Sequence, residues 1–162
     1  MKFESLAQLI FNNMVPKLER NNGLFIFAKE RAKFEGWLKV ELCESLSKYF
    51  STIIPEKDRI DVVFDNWAVE LKTVNTSYKY ENVSDKTRPI TQNIQEVIED
   101  IQKLKSKAYT NKAVLFVVFP VTHENRNWKE HLEKVQIQLR ELKHKEFKFK
   151  KEIPGVIYFG LL

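Results

Sequence analysis

Residues 60–73, IDVVFDNWAVELKT, constrain the fold more than any other stretch. Asp65-Asn66 reads as a two-residue hairpin connection between two apolar runs, because both residue types tolerate the positive φ that such turns need. That turn sets Phe64 opposite Trp67, Val63 opposite Ala68, Val62 opposite Val69 and Asp61 opposite Glu70. One sheet face then carries Ile60, Val62, Phe64, Trp67, Val69 and Leu71, all apolar. The other carries Val63 and Ala68, then Asp61, Glu70 and Lys72. A slip of one residue would scramble the apolar face, so the register is well specified. Two carboxylates directly opposite on one face repel. The pair calls for something positive between them.

Composition decides what kind of chain surrounds this hairpin. With 162 residues, 43% hydrophobic and 30% charged, it suits one globular domain with a sizeable core rather than a disordered chain. The longest apolar run, AVLFVVFPV at 113–121, is strand-length and falls short of the roughly 20 residues a membrane helix needs. MKFESLAQLIF carries neither a secretory apolar region nor a small-residue cleavage site, so the cytoplasm is the expected compartment. Cys43 is the only cysteine, which excludes an internal disulfide and a cysteine-rich zinc site. A net charge of +5 favours polyanionic partners, nucleic acid above all. In LKHKEFKFKKE, lysines 143, 145, 148, 150 and 151 alternate with Phe147 and Phe149. A solvated strand or loop edge is the favoured account of that run; a phosphate-contacting stripe is the alternative.

The periodicities order the elements. Leu6, Leu9, Ile10 and Met14 predict a helix over residues 3–15, closed by Pro16. NNGLFIF follows a turn signal at 21–23. From about Lys29 to Phe50 a broad apolar face (Phe34, Trp37, Leu38, Leu42, Leu46, Tyr49) predicts a second helix, and Pro55 ends the connection into the hairpin of 59–74. Tyr78 to Val83 is expected to add a short strand. Ile90, Ile94, Val97, Ile98, Ile101 and Leu104 predict a helix over 90–106, followed by the central strand AVLFVVFPV, apolar on both faces. A helix over about 125–145 carries Trp128, Leu132, Val135, Leu139 and Leu142, a stripe for packing on the sheet or for a dimer seam. PGVIYFGLL closes the chain as a strand. The sum is an α/β layered domain with a mixed central sheet flanked by helices.

An aspartate at the start of one strand (Ile60-Asp61), Glu70-Leu71-Lys72 on the next, and a preceding helix FEGWLKVEL with an inward glutamate resemble the PD-(D/E)xK nuclease superfamily. Ile60 stands where the family name has proline. The resemblance covers roughly residues 30–120 and implies a single nuclease-like domain over 1–162, with a restriction-endonuclease-like three-layer core. The N-terminal helix and the C-terminal helix and strand would be additions to that core. It implies a metal-dependent nuclease, with DNA as the expected substrate and a restriction, repair or junction-resolving role. Asp61 and Glu70 would hold Mg²⁺, with Mn²⁺ as a substitute, because that ion takes one or two carboxylates beside phosphate and water. Lys72 would orient the attacking water or stabilise the charge on the phosphoryl group.

On a helical wheel Glu41 falls near the middle of the buried arc and is the favoured third carboxylate of the metal shell; Glu35, beside Gly36, is the second choice. Gln95, at the edge of its helix face, and Lys86 and Arg88, just before that helix, are candidate substrate contacts. His123, His131 and His144 form no ligand spacing. Cutting both strands of a duplex calls for two active sites, which makes a homodimer attractive. The competing expectation is a nucleic-acid-binding or complex-assembly module that keeps the fold without turnover.

Overall fold

The computed structural model describes residues 1–85 and 89–162. Its sheet is six-stranded: β1 (Ile53–Lys57), β2 (Ile60–Phe64), β3 (Trp67–Asn75), β4 (Asn111–Phe119), β5 (Glu141–Phe149) and β6 (Ile153–Leu161), in the order β1-β2-β3-β4-β6-β5. β3 and β4 are parallel and every other neighbouring pair is antiparallel. Helices α1 (Phe3–Arg20), α2 (Asn22–Lys29) and α3 (Glu35–Ser47) cover one face, and α4 (Ile90–Lys105) and α5 (Arg126–Gln136) cover the other. The mixed sheet between helices is the expected α/β architecture. Among the described residues no helix is long and apolar enough to cross a membrane.

β4 shows why the layers form. Its Ala113, Leu115, Val117 and Phe119 pack with α1 and α3, while Val114, Phe116 and Val118 pack with α4 and α5. A strand apolar on both faces can satisfy both only in the middle of a three-layer stack. β5 alternates instead. Phe147 and Phe149 point into the α1–α3 layer, and His144, Glu146 and Lys148 between and before them are exposed. The lysine run is therefore split over the two faces of an edge strand and the turn that follows it. Phe147 lies across Gly155 of β6, where a Cβ would sit 2.5 Å from its ring.

Several expected boundaries move, each for a physical reason. α1 does not stop at Pro16. It runs to Arg20 because Met14, Val15 and Leu18 are buried, which outweighs the roughly 3 kcal/mol cost of an interior proline. NNG starts α2 rather than only a turn, since the Asn21 side chain caps it by accepting from Leu24 N–H at 2.9 Å. The helix expected from about Lys29 begins at Glu35, because Arg31 turns the chain with φ 54°. Pro55 lies within β1 and does not merely end a connection, which is tolerated on an edge strand. Residues 78–83 form no strand, and Asn82 has φ 60°. α5 ends at Gln136; Leu139 and Leu142, read as a continuation of its stripe, pack on the same core from the loop and from β5. That stripe is sheet packing.

Candidate active site

The hairpin register is the expected one, with Phe64 opposite Trp67, Val63 opposite Ala68 and Val62 opposite Val69. Asp65 takes positive φ (44°), while Asn66 does not. Pairing then stops. Asp61 and Glu70 form no ladder pair, and β3 continues to Asn75 with β4 alone. The two strands part at the carboxylates. Ile60 belongs here with Val63, Ala68 and Leu104 of α4, so the alternation that set Ile60 beside Val62 breaks at Asp61.

The opened edge of β3 is lined by acids. Leu71 N–H donates to Asp61 Oδ2 at 2.8 Å, and Thr73 N–H donates to Glu35 Oε1 at 3.3 Å. Two carboxylates from different elements thus take amides that a longer β2 would have bonded, two residues apart along one strand. Obligatory backbone donors fix both side chains. Asp61 Oδ1 meets Lys39 Nζ of α3 at 2.8 Å, and Lys39 also pairs with Glu56 of β1. The Asp61 and Glu70 carboxyls share a hydrogen bond. On the α4 side, Lys72 Nζ lies 2.9 Å from Asp100 Oδ2.

The charges respond to these neighbours. Burial pushes the Glu70 carboxyl up, the Asp61 hydrogen bond and charge push further, Asp100 adds to them, and Lys72 opposes; the result is about 8. Burial would also raise Asp61, but Lys39 and Leu71 N–H reverse the sign and hold it below the usual carboxylate range. Lys72 runs the other way: burial favours its neutral form, and Asp100, then Glu96 and Glu35, overcome this and keep it protonated. Near neutral pH the acid pair therefore holds a proton between its members.

Glu41 is not part of this cluster, which corrects its place as third carboxylate: it pairs with Lys17 of α1. Glu41 is only partly buried, because α3 packs against α1 as well as β3 and Glu41 faces that helix. Glu35, the first residue of α3 and the second choice from the sequence, is the helix carboxylate that reaches the opened edge of β3. Gln95 is exposed and bonds Glu99 at 3.4 Å, away from the cluster. Lys86 and Arg88 lie outside the described residues. Lys39 and Asp100 were not anticipated, because their partners stand far from them in sequence and no local spacing announces them.

Among the described residues no group of three or more His, Cys, Asp or Glu side chains is gathered to hold a metal. The donor set is a pair of hard oxygen donors, Asp61 and Glu70, with Lys39 on the Asp61 side. Such a pair fits Mg²⁺, which retains water and needs only one or two protein carboxylates. In comparisons with known proteins, no family model, no curated protein and no solved structure matches this chain.

Proposed function

We propose that the chain is a metal-dependent nuclease of the PD-(D/E)xK type that hydrolyses phosphodiester bonds in DNA. The observation that carries this reading is the Asp61–Glu70 pair at the parting of β2 and β3, with Lys72 two residues along β3 from Glu70. Asp61 and Glu70 are the residues to hold Mg²⁺ or Mn²⁺. Such an ion, when bound, supplies Lewis-acid polarisation of the phosphate and a more acidic water. Leu71 N–H keeps Asp61 aimed by occupying one of its oxygens. To serve as a ligand Glu70 would have to release its proton to solvent. Lys72, kept charged by Asp100, serves as a movable positive charge for the phosphoryl oxygens and not as a base. The net charge of +5 supports attraction of a polyanion.

A second reading has one observation in its favour. Lys39 and Lys72 each already face a protein carboxylate, Asp61 and Asp100, so the charges are partly satisfied without metal or substrate. A nucleic-acid-binding or assembly module without turnover accommodates that. The deciding experiment offers supercoiled plasmid, single-stranded DNA and a four-way junction with Mg²⁺, Mn²⁺ or EDTA, beside Lys72→Ala. Metal-dependent cutting lost in the variant supports the nuclease. DNA retarded on a gel but never cut supports the module.

A further inference from the structure

We propose that Lys39 is the resident cation of the site, and that a divalent ion taken up by Asp61 and Glu70 displaces it outward onto Glu56. The inference rests on the reading of those two carboxylates as metal ligands. It starts from the count of positions around Asp61. Oδ2 is taken by Leu71 N–H, and Glu70 stands against the same carboxyl. Among the described residues Oδ1 accepts no backbone bond, and Lys39 Nζ meets it at 2.8 Å. An ion on Oδ1 would set a second positive charge beside the ammonium, and their repulsion is what would drive Lys39 outward.

The second half concerns where the ammonium goes. A half-buried lysine stripped of its partner is costly, and a displacement with no destination would oppose metal uptake. Lys39 has a destination already in contact. Glu56, on the neighbouring edge strand, adopts φ 59°, and its side chain is 71% exposed against 22% for Asp61. The lysine thus spans an inner and an outer carboxylate. Lys39 also borders an open cleft with Val40, Cys43, Ile53 and Pro55, so its side chain is not enclosed by the core. The arrangement makes Lys39 a competitor that weakens metal binding, and Glu56 the acceptor that limits how much.

The test is a double-mutant cycle read by binding of Mn²⁺ alone, followed by electron paramagnetic resonance of the free ion. K39Q is expected to bind Mn²⁺ about tenfold tighter than the unaltered protein, the weight of one charge-assisted contact. E56Q is expected to bind it several-fold more weakly (~3-fold), because Lys39 then has only Asp61. In the double variant the E56Q effect should vanish, since Glu56 acts only through Lys39. Equal effects of E56Q with and without Lys39 would show a general electrostatic field and overturn the displacement. Mn²⁺ uptake by the unaltered protein with no gain in K39Q would overturn it as well. No uptake by either protein would sink the metal reading of Asp61 and Glu70, and the proposal with it. Should K39Q fail to fold, K39M takes its place in the cycle, and an E56Q effect that persists beside it overturns the displacement.

Discussion

Arg31 and the Asp61–Glu70 pair are both charges drawn into the protein beside β3, and the protein treats them in opposite ways. Arg31 is 6% exposed and surrounded by acceptors. Its Nε donates to Ser84 O at 2.6 Å, its two terminal nitrogens donate to Thr76 O and Tyr78 O, and Asn75 Oδ1 stands at 3.5 Å. Asn75 Nδ2 donates back to the Arg31 carbonyl. A planar guanidinium with five donors is well matched to carbonyls converging from one strand end and the loop after it. The acid pair has the reverse problem, two acceptors with one proton between them and a lysine on one side. A buried charge with all its partners is a clasp. Two carboxyls that keep one proton between them have a charge state that a neighbouring cation can change.

Arg31→Met should give the largest effect on stability, roughly 3–5 kcal/mol by urea denaturation, because several buried carbonyls lose their donor at once. A loss below about 1 kcal/mol would erase the contrast by making Arg31 as dispensable as a surface charge. Lys72→Ala sharpens the other side. Cleavage should fall about 100-fold or more, the scale of losing one charge aimed at the transition state, while the denaturation midpoint stays close to that of the parent. Full activity in a folded Lys72→Ala protein would falsify the site.

A smaller effect, with a definite sign, follows from Glu70. Its carboxyl titrates near 4.5 when unfolded and at about 8 when folded, so between those values the folded chain holds the extra proton. Stability therefore falls as pH rises from about 5 to about 8.5, and it levels off above that. Glu70→Gln should flatten this slope, and saturating Mg²⁺ should flatten it in the parent by replacing the proton. A slope unchanged by Glu70→Gln would place the titration elsewhere. The smallest effect belongs to Glu41→Gln, which loses a half-exposed pair with Lys17 worth about 1 kcal/mol at most. It should leave metal affinity unaltered; weakened affinity would restore Glu41 to the site.

The hairpin register was legible because turn chemistry and alternation agree at Val62–Phe64 and Trp67–Val69. So was the central strand, where no residue of 113–119 breaks an apolar run. The site was half legible. Asp61 opposite Glu70 can be read from the turn, but the parting of the strands cannot, because nothing local to Asp61 says that its carboxylate bonds Leu71 N–H. A helical wheel gives an angle and not a neighbour, which is why it ranked Glu41 above Glu35. Lys39, Asp100 and the clasp around Arg31 depend on contacts between distant segments and leave no period to detect. The same blindness hid the stacking of His123 on His144, whose ring centroids lie 3.7 Å apart. It also let a helical stripe run on through Leu139 and Leu142 into what is an edge strand.

The measurement that bears most directly on the central claim is Mg²⁺ binding by calorimetry near pH 7 in two buffers of different ionisation heat. Burial and Asp61 raise the Glu70 carboxyl so that the pair holds a proton there, and cation uptake should therefore release protons. Both the uptake and the proton release should disappear in Asp61→Ala. Mg²⁺ uptake without proton release would mean that the ion binds elsewhere, and no uptake even with DNA present would contradict the account.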